Sequence, residues 1–128
     1  VQDYRTREDV TVVADLPRSE TRRVNDKTFW AVGGLLGTAM LLDTKSTFDV
    51  LGRCRNCYEA NPYVAPFVNR GPALTFGAGA AFDAGVMALA ARMRRSPEAR
   101  FHRIWWVLPV ALTAGHVIAY RHNLEVGR

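Results

Sequence analysis

The sequence predicts an all-α membrane protein with three transmembrane helices and an N-terminal polar arm. Three blocks of the 128-residue chain carry almost no charge, and small side chains recur inside them at four-residue spacing. The mean hydropathy of the whole chain, -0.08, and its 48% apolar content are ordinary for a soluble protein. The membrane prediction therefore depends on the blocks and not on the average. We divide the chain into a cytoplasmic arm over residues 1–27 and a three-helix transmembrane domain over residues 28–123.

The arm is highly charged, with six Lys or Arg and six Asp or Glu side chains. It lacks an apolar segment long enough for a signal peptide. Because a free polar arm is normally disordered, we expect an ordered arm to be held by a partner surface. Asn25 or Asp26, at its end, is suited to cap the first helix.

The first apolar block covers residues 28–42, fifteen positions without a charge. A membrane span needs about 20 residues, and we expect this helix to continue through Asp43 to about Leu51. Lys45 would then extend its ammonium group toward the membrane interface.

The second and third blocks have clear helix-start signals. The second runs from Gly71 to about Met93, with Pro72 in the first turn and Asp83 in the middle. The third starts at residues 96–98, Ser-Pro-Glu, which supply an N-cap, an N1 proline and a first-turn carboxylate. Pro109 is expected to kink it.

Small residues at four-residue spacing lie on one helix face and let helices approach closely in lipid. A soluble helical bundle is the alternative interpretation. It conflicts with the second block, which is apolar on nearly all sides and needs burial all round. We predict helix packing through Gly33, Gly37, Gly77, Ala81, Gly85, Ala111 and Gly115.

The Lys and Arg residues predict the orientation of the chain in a bacterial inner membrane. Basic side chains concentrate on the cytoplasmic side of membrane proteins. The connection between the second and third blocks is the most basic, and the arm before the first block is also basic. We therefore place both in the cytoplasm, and the loop over residues 52–70 and the C-terminus outside. The five arginines of the connection are Arg92, Arg94, Arg95, Arg100 and Arg103.

Two short motifs resemble an uncharacterised family of small bacterial and archaeal multi-helix membrane proteins. Residues 43–47 read DTKST and match its D-x-x-[ST]-T motif, and residues 59–62 read EANP and match its E-x-N-P motif. The resemblance covers roughly residues 30–95 and implies a multi-helix membrane fold, but little about activity. The departure from the family is the cysteine-containing insert between the motifs.

The motif residues suggest a polar cluster near the outer interface. Asp43 and Thr47 lie one helical turn apart, and nearby carboxylates can bind a cation or share a proton. The predicted cluster is Asp43, Thr47, Glu59, Asn61 and Asp83. In the simpler alternative, Asp43 and Thr47 close a helix end, while Glu59 pairs with Arg53 or Arg55 beside a turn.

His116, flanked by Gly115, is a candidate ligand for a haem or a chlorophyll-type pigment, because a flat ring needs small neighbours. A hydrogen-bonded packing role is the alternative. A third interpretation is that His116 pairs with Asp83, because the second and third blocks are antiparallel.

Cys54 and Cys57 form a C-x-x-C pattern in the outward loop, where a disulfide is expected. Tyr58 replaces the histidine that haem attachment requires, and two thiols do not complete a zinc site. We predict no metal site.

These observations favour a non-catalytic accessory subunit of a larger membrane complex, and the expected partners are other membrane subunits and bound lipid. We expect the complex to be electron-transferring or photosynthetic, and we expect the arm and the helix faces to stabilise it. No nucleotide loop or hydrolase motif is present, and no nucleic-acid motif accompanies the net charge of +5. The alternatives are a membrane enzyme or ion- or metal-handling protein using Asp43, Glu59, Asp83 and His116, and a pigment carrier using His116.

Overall fold

The computed structural model describes residues 27–54 and 56–127. Within them all regular elements are helices, which confirms the all-α prediction. The helices are α1 (Lys27–Arg53), α2 (Ala65–Val68), α3 (Pro72–Arg95), α4 (Ala99–Ile104) and α5 (Val107–Val126). Apart from Lys27, the predicted polar arm lies outside the described residues, as do its capping residues Asn25 and Asp26.

Helix α1 continues well past its apolar block, as expected. It passes through Asp43 and ends at Arg53, where the Cys54 N–H still donates to the Val50 carbonyl at 3.0 Å. Its 27 residues span about 40 Å at 1.5 Å per residue. The charged second half is therefore a direct continuation of the apolar first half.

Helix α3 begins where its sequence signals predicted. Gly71 precedes it with φ 105°, a backbone conformation that L side chains rarely adopt, and Pro72 takes the first helical position. The helix ends at Arg95, where the Ser96 N–H donates to the Met93 carbonyl at 3.1 Å.

The third block is divided into two helices, so the prediction of one kinked helix starting at Ser96 was wrong in detail. Glu98, not Ser96, precedes the first helical residue, and the helix is interrupted at Trp105 and Trp106. Pro109 explains the position of the break. It has no N–H to donate to the carbonyl four residues earlier, that of Trp105.

The three long helices run up, down and up. Helix α1 is antiparallel to α3, because Met87 packs on Gly33 at one level and Met40 packs on Gly79 at the next. Helix α1 is parallel to α5, and Val50 lies against Gly127 near their common end. We call the end holding Lys27 and Arg95 the arginine end, and the opposite end, with Cys54 and Cys57, the disulfide end.

The predicted small-residue faces are used only in part within the chain. A methyl group built on Gly33 would lie 3.0 Å from Met87, so this glycine allows close helix contact. The same group at Gly37, Gly77, Gly85 or Gly115 meets nothing within 4 Å. Ala81 and Ala111 are exposed. Gly79, which the four-residue pattern did not include, makes the second close contact.

In the described part of the chain, one helix, α3, is long and apolar enough to cross a membrane. The prediction of three such helices is therefore supported for one of them. The other two long helices, α1 and α5, do not qualify because each carries charged or polar side chains near one end. Helix α1 carries Asp43, Lys45 and Asp49 in its second half, and α5 carries Arg121 and His122 in its last two turns.

Candidate functional site

Asp43 and His116 form the central contact of a candidate site between α1 and α5. The Nδ1–H of His116 donates to Oδ2 of Asp43 across 2.8 Å. Both side chains are largely buried, with 18% of Asp43 and 24% of His116 exposed. Because 73 positions separate them in sequence, neither motif spacing nor helical periodicity could predict the pair.

Asn123 extends this contact toward the disulfide end. Its Nδ2 donates to the Ser46 hydroxyl at 2.9 Å and to the Thr47 hydroxyl at 3.0 Å. Ser46 in turn donates to the Asp43 carbonyl at 2.8 Å. We call this set, Asp43, Ser46, Thr47, His116 and Asn123, the polar seam.

The sequence did carry a signal for Asn123. It follows His116 by seven residues, or two helical turns, so both project from the same face of α5. The motif residues Asp43, Ser46 and Thr47 are spaced so that they too lie on one side of α1. The sequence therefore contains both polar stripes, but that they face each other could be seen only in the tertiary structure.

Asp83, in the middle of α3, is buried beside the seam without joining it. Only 7% of the residue is exposed, and neither carboxyl oxygen has a hydrogen-bond partner. It is close enough to His116 for direct Coulombic interaction. The suggested pairing of Asp83 with His116 is thus Coulombic and not a hydrogen bond, since the His116 Nδ1 nitrogen engages Asp43.

A cavity of about 210 Å³ lies at the disulfide end of the seam. Two seam residues, Ser46 and Asn123, line it together with charged side chains of the α1 terminus. The seam therefore reaches a polar opening at this end of the bundle. The complete lining is Ser46, Asp49, Val50, Arg53, Asn123, Leu124 and Gly127.

Glu59 and Asn61 do not join the predicted polar cluster. A Glu59 carboxyl oxygen accepts the Asn61 N–H at 2.9 Å, and the Asn61 side chain accepts the Tyr63 N–H at 3.0 Å. These bonds shape a local turn, as Asn-Pro sequences favour. Glu59 forms no ion pair with Arg53 in the described residues, and Arg55 lies outside them.

Thr47 accepts from Asn123, so the alternative in which it closes a helix end with Asp43 does not apply. In the loop, Cys54 and Cys57 form a disulfide with their Cα atoms 5.4 Å apart. Within residues 27–54 and 56–127, no group of three His, Cys, Asp or Glu side chains is arranged to hold a metal ion.

No protein-family model, curated protein or solved structure matches the chain. The resemblance carried by the DTKST and EANP motifs therefore stays a prediction.

Proposed function

We propose that the chain is a multi-pass protein of a bacterial inner membrane, with its three long helices spanning the bilayer. It acts there as a non-catalytic accessory subunit of a larger complex, of the electron-transfer or photosynthetic kind. The observation that carries this proposal is an outward face of α3 made of small side chains.

The membrane location is supported by the apolar side chains on the outside of the bundle. Trp30 and Leu35 on α1 are each 63% exposed, Phe82 on α3 is 60% exposed and Ile118 on α5 is 68% exposed. Exposed apolar surface of this extent marks a membrane or protein contact. Lipid would cover it on all three helices at once.

The two ends of the bundle support the proposed orientation. The arginine end carries three Arg residues in the last turn of α3 and more in α4, as expected of a cytoplasmic side. The disulfide end carries the Cys54–Cys57 bond, as expected of an oxidising compartment. Charge and cysteine chemistry therefore favour the same orientation independently.

The small-residue face of α3 supports a partner helix. Gly77, Ala81 and Gly85 are exposed and lie one turn apart on the side of α3 that faces away from α1. Neither glycine contacts another side chain at the position of a Cβ. Lipid chains make little additional van der Waals contact with such a surface, whereas a second helix can approach it closely and pack against it. The proposed occupant is a transmembrane helix of another subunit.

The proposal is tested by purifying the protein from its native membrane in mild detergent. We expect other membrane subunits to elute in the same peak, identified by mass spectrometry, with the visible spectrum of their cofactors. A single colourless chain in that peak would contradict the proposal.

A pair of matched variants tests the face itself. Ala81→Ile places a branched side chain in the middle of the face and should release the co-purifying subunits. Ala31→Ile makes the same change at an exposed position of α1 and should retain them. Equal recovery of the subunits with both variants would show that α3 does not dock through this face.

A second candidate function is ligation of a haem or chlorophyll-type pigment by His116. The favouring observation is the Asp43 carboxylate on Nδ1, because ligating histidines usually donate their other ring N–H to a carboxylate or carbonyl. The absorbance of the purified protein should then be lost in His116→Ala and kept in His122→Ala. A spectrum unchanged in His116→Ala would exclude it.

A further inference from the structure

Asp83 presents a chemical problem that the accessory-subunit proposal does not address. Its two carboxyl oxygens are enclosed and receive no hydrogen bond. An ionised carboxylate that is removed from water without a donor or a cation is strongly unfavourable. Something must neutralise it, and a carboxyl group can be neutralised by a bound cation or by a proton.

The surroundings of Asp83 favour a proton. A metal cation needs several ligand atoms around it, and the described residues contain no suitable group of three side chains. Among the described residues, the titratable group that interacts directly with Asp83 is His116 from α5, and His116 also interacts with Asp43 from α1. When His116 is a neutral imidazole bonded to the Asp43 carboxylate, the pair offers no positive charge to Asp83.

We propose that Asp83 is an internal proton-binding site, and that the polar seam connects it to the disulfide end of the bundle. In the exchange step, the Asp83 carboxyl group loses its proton and becomes a carboxylate. The His116 imidazole gains the proton at Nε2 and becomes an imidazolium, which Asp43 stabilises through its hydrogen bond at Nδ1.

The access route is one-sided. Toward the disulfide end, polar groups continue from His116 through Asp43 and Ser46 to Asn123, and the last two residues line the 210 Å³ cavity. Toward the arginine end, the core consists of Phe29, Ala90 and Trp105. The register between Gly33–Met87 and Met40–Gly79 also places Leu36, which is fully buried, opposite Asp83. The proposed exchange is therefore with the medium at the disulfide end.

The first test is infrared spectroscopy of the full chain in lipid vesicles, with aspartate labelled by ¹³C at the carboxyl carbon. At neutral pH and without sodium, we expect the C=O stretch of a protonated carboxylic acid. That band should be absent from Asp83→Asn and present in Asp49→Asn, which alters an exposed aspartate paired with Lys45. A wild-type protein without the band would overturn the proposal even if Asp83→Asn failed to fold.

Two further measurements use the wild-type protein. Adding sodium at constant pH should leave the band unchanged, and its disappearance would make the site a sodium site. In vesicles of known orientation with a buffered interior, raising the pH on the disulfide side should remove the band, whereas the same change confined to the arginine side should not. Loss of the band from the arginine side alone would overturn the proposed route. These outcomes do not depend on partner subunits, so failure here is distinct from failure of the docking proposal.

Discussion

The two ends of the bundle are held together by different chemistry. At the arginine end, the Phe29 and Trp105 rings pack with their centroids 5.7 Å apart, and Ala90 completes a buried apolar cluster. At the disulfide end, α1 and α5 are joined by hydrogen bonds from His116 and Asn123. The same helix, α1, thus packs through apolar contacts in its first half and through polar contacts in its second.

The difference shows that apolar packing and polar contacts have separate roles in this bundle. Apolar side chains tolerate many alternative arrangements, whereas a polar network has to be satisfied by particular partners. The seam therefore fixes the register of α5 against α1, while the arginine end supplies contact area. An unpaired Asp83 at the boundary is compatible with this division only if its charge is neutralised.

The largest effect is expected from Leu36→Ala, which removes a fully buried side chain at the level where the two regions meet. Truncation of a buried leucine costs about 2–5 kcal/mol of unfolding free energy. The neighbouring Leu35 is 63% exposed, and Leu35→Ala should change the unfolding free energy by less than about 0.5 kcal/mol. Unfolding in mixed micelles with increasing denaturing detergent measures both. Equal losses would mean that the inside and outside of α1 are assigned wrongly.

The next effect is expected in the polar seam. Asp43→Ala leaves the largely buried His116 ring without its acceptor and should cost about 1–3 kcal/mol. Asp49→Ala removes a carboxylate that forms an exposed ion pair with Lys45, where a cost of about 0–1 kcal/mol is typical. The same unfolding assay compares them. A seam variant as stable as the surface variant would remove the distinction between the two ends.

The sequence predicted the elements of this comparison better than their partners. Helix starts at Gly71 and Pro72 depend on local backbone chemistry, so they could be predicted. The break before Pro109 was misplaced because the missing N–H acts four residues upstream, and not at the proline. The Asp43–His116 pair joins the first and last long helices, a relation that local patterns do not contain.

A smaller effect, with opposite signs at two glycines, tests the contact between α1 and α3. At Gly79 a Cβ would lie 3.0 Å from the Met40 sulfur and 3.3 Å from its Cγ, and Met40 is itself buried. Overpacking at Gly79→Ala should cost about 1–3 kcal/mol, which the higher helix propensity of alanine offsets by about 1 kcal/mol, so the net loss should be about 0–2 kcal/mol. At Gly37 the space is open, so Gly37→Ala should stabilise the helix by up to about 1 kcal/mol. Destabilisation by both would place an unrecognised contact at Gly37.

The smallest effect on stability is expected from the disulfide, and it serves to assign the two ends to the two sides of the membrane. The bridge closes a very short loop, with Cys54 and Cys57 three positions apart. Because closure of a short loop removes little chain entropy, the double substitution to serine should cost no more than about 2 kcal/mol.

The cysteines are more informative as reporters of sidedness. After reduction of intact bacterial cells with permeabilised outer membranes, a maleimide that cannot cross the inner membrane should label Cys54 and Cys57. In the double-serine background, Ser96→Cys, in the turn between α3 and α4, should be labelled only after the inner membrane is opened. Labelling of both positions without opening would contradict a spanning bundle. The reverse pattern would retain the span but invert it, and protons would then reach Asp83 from the cytoplasm.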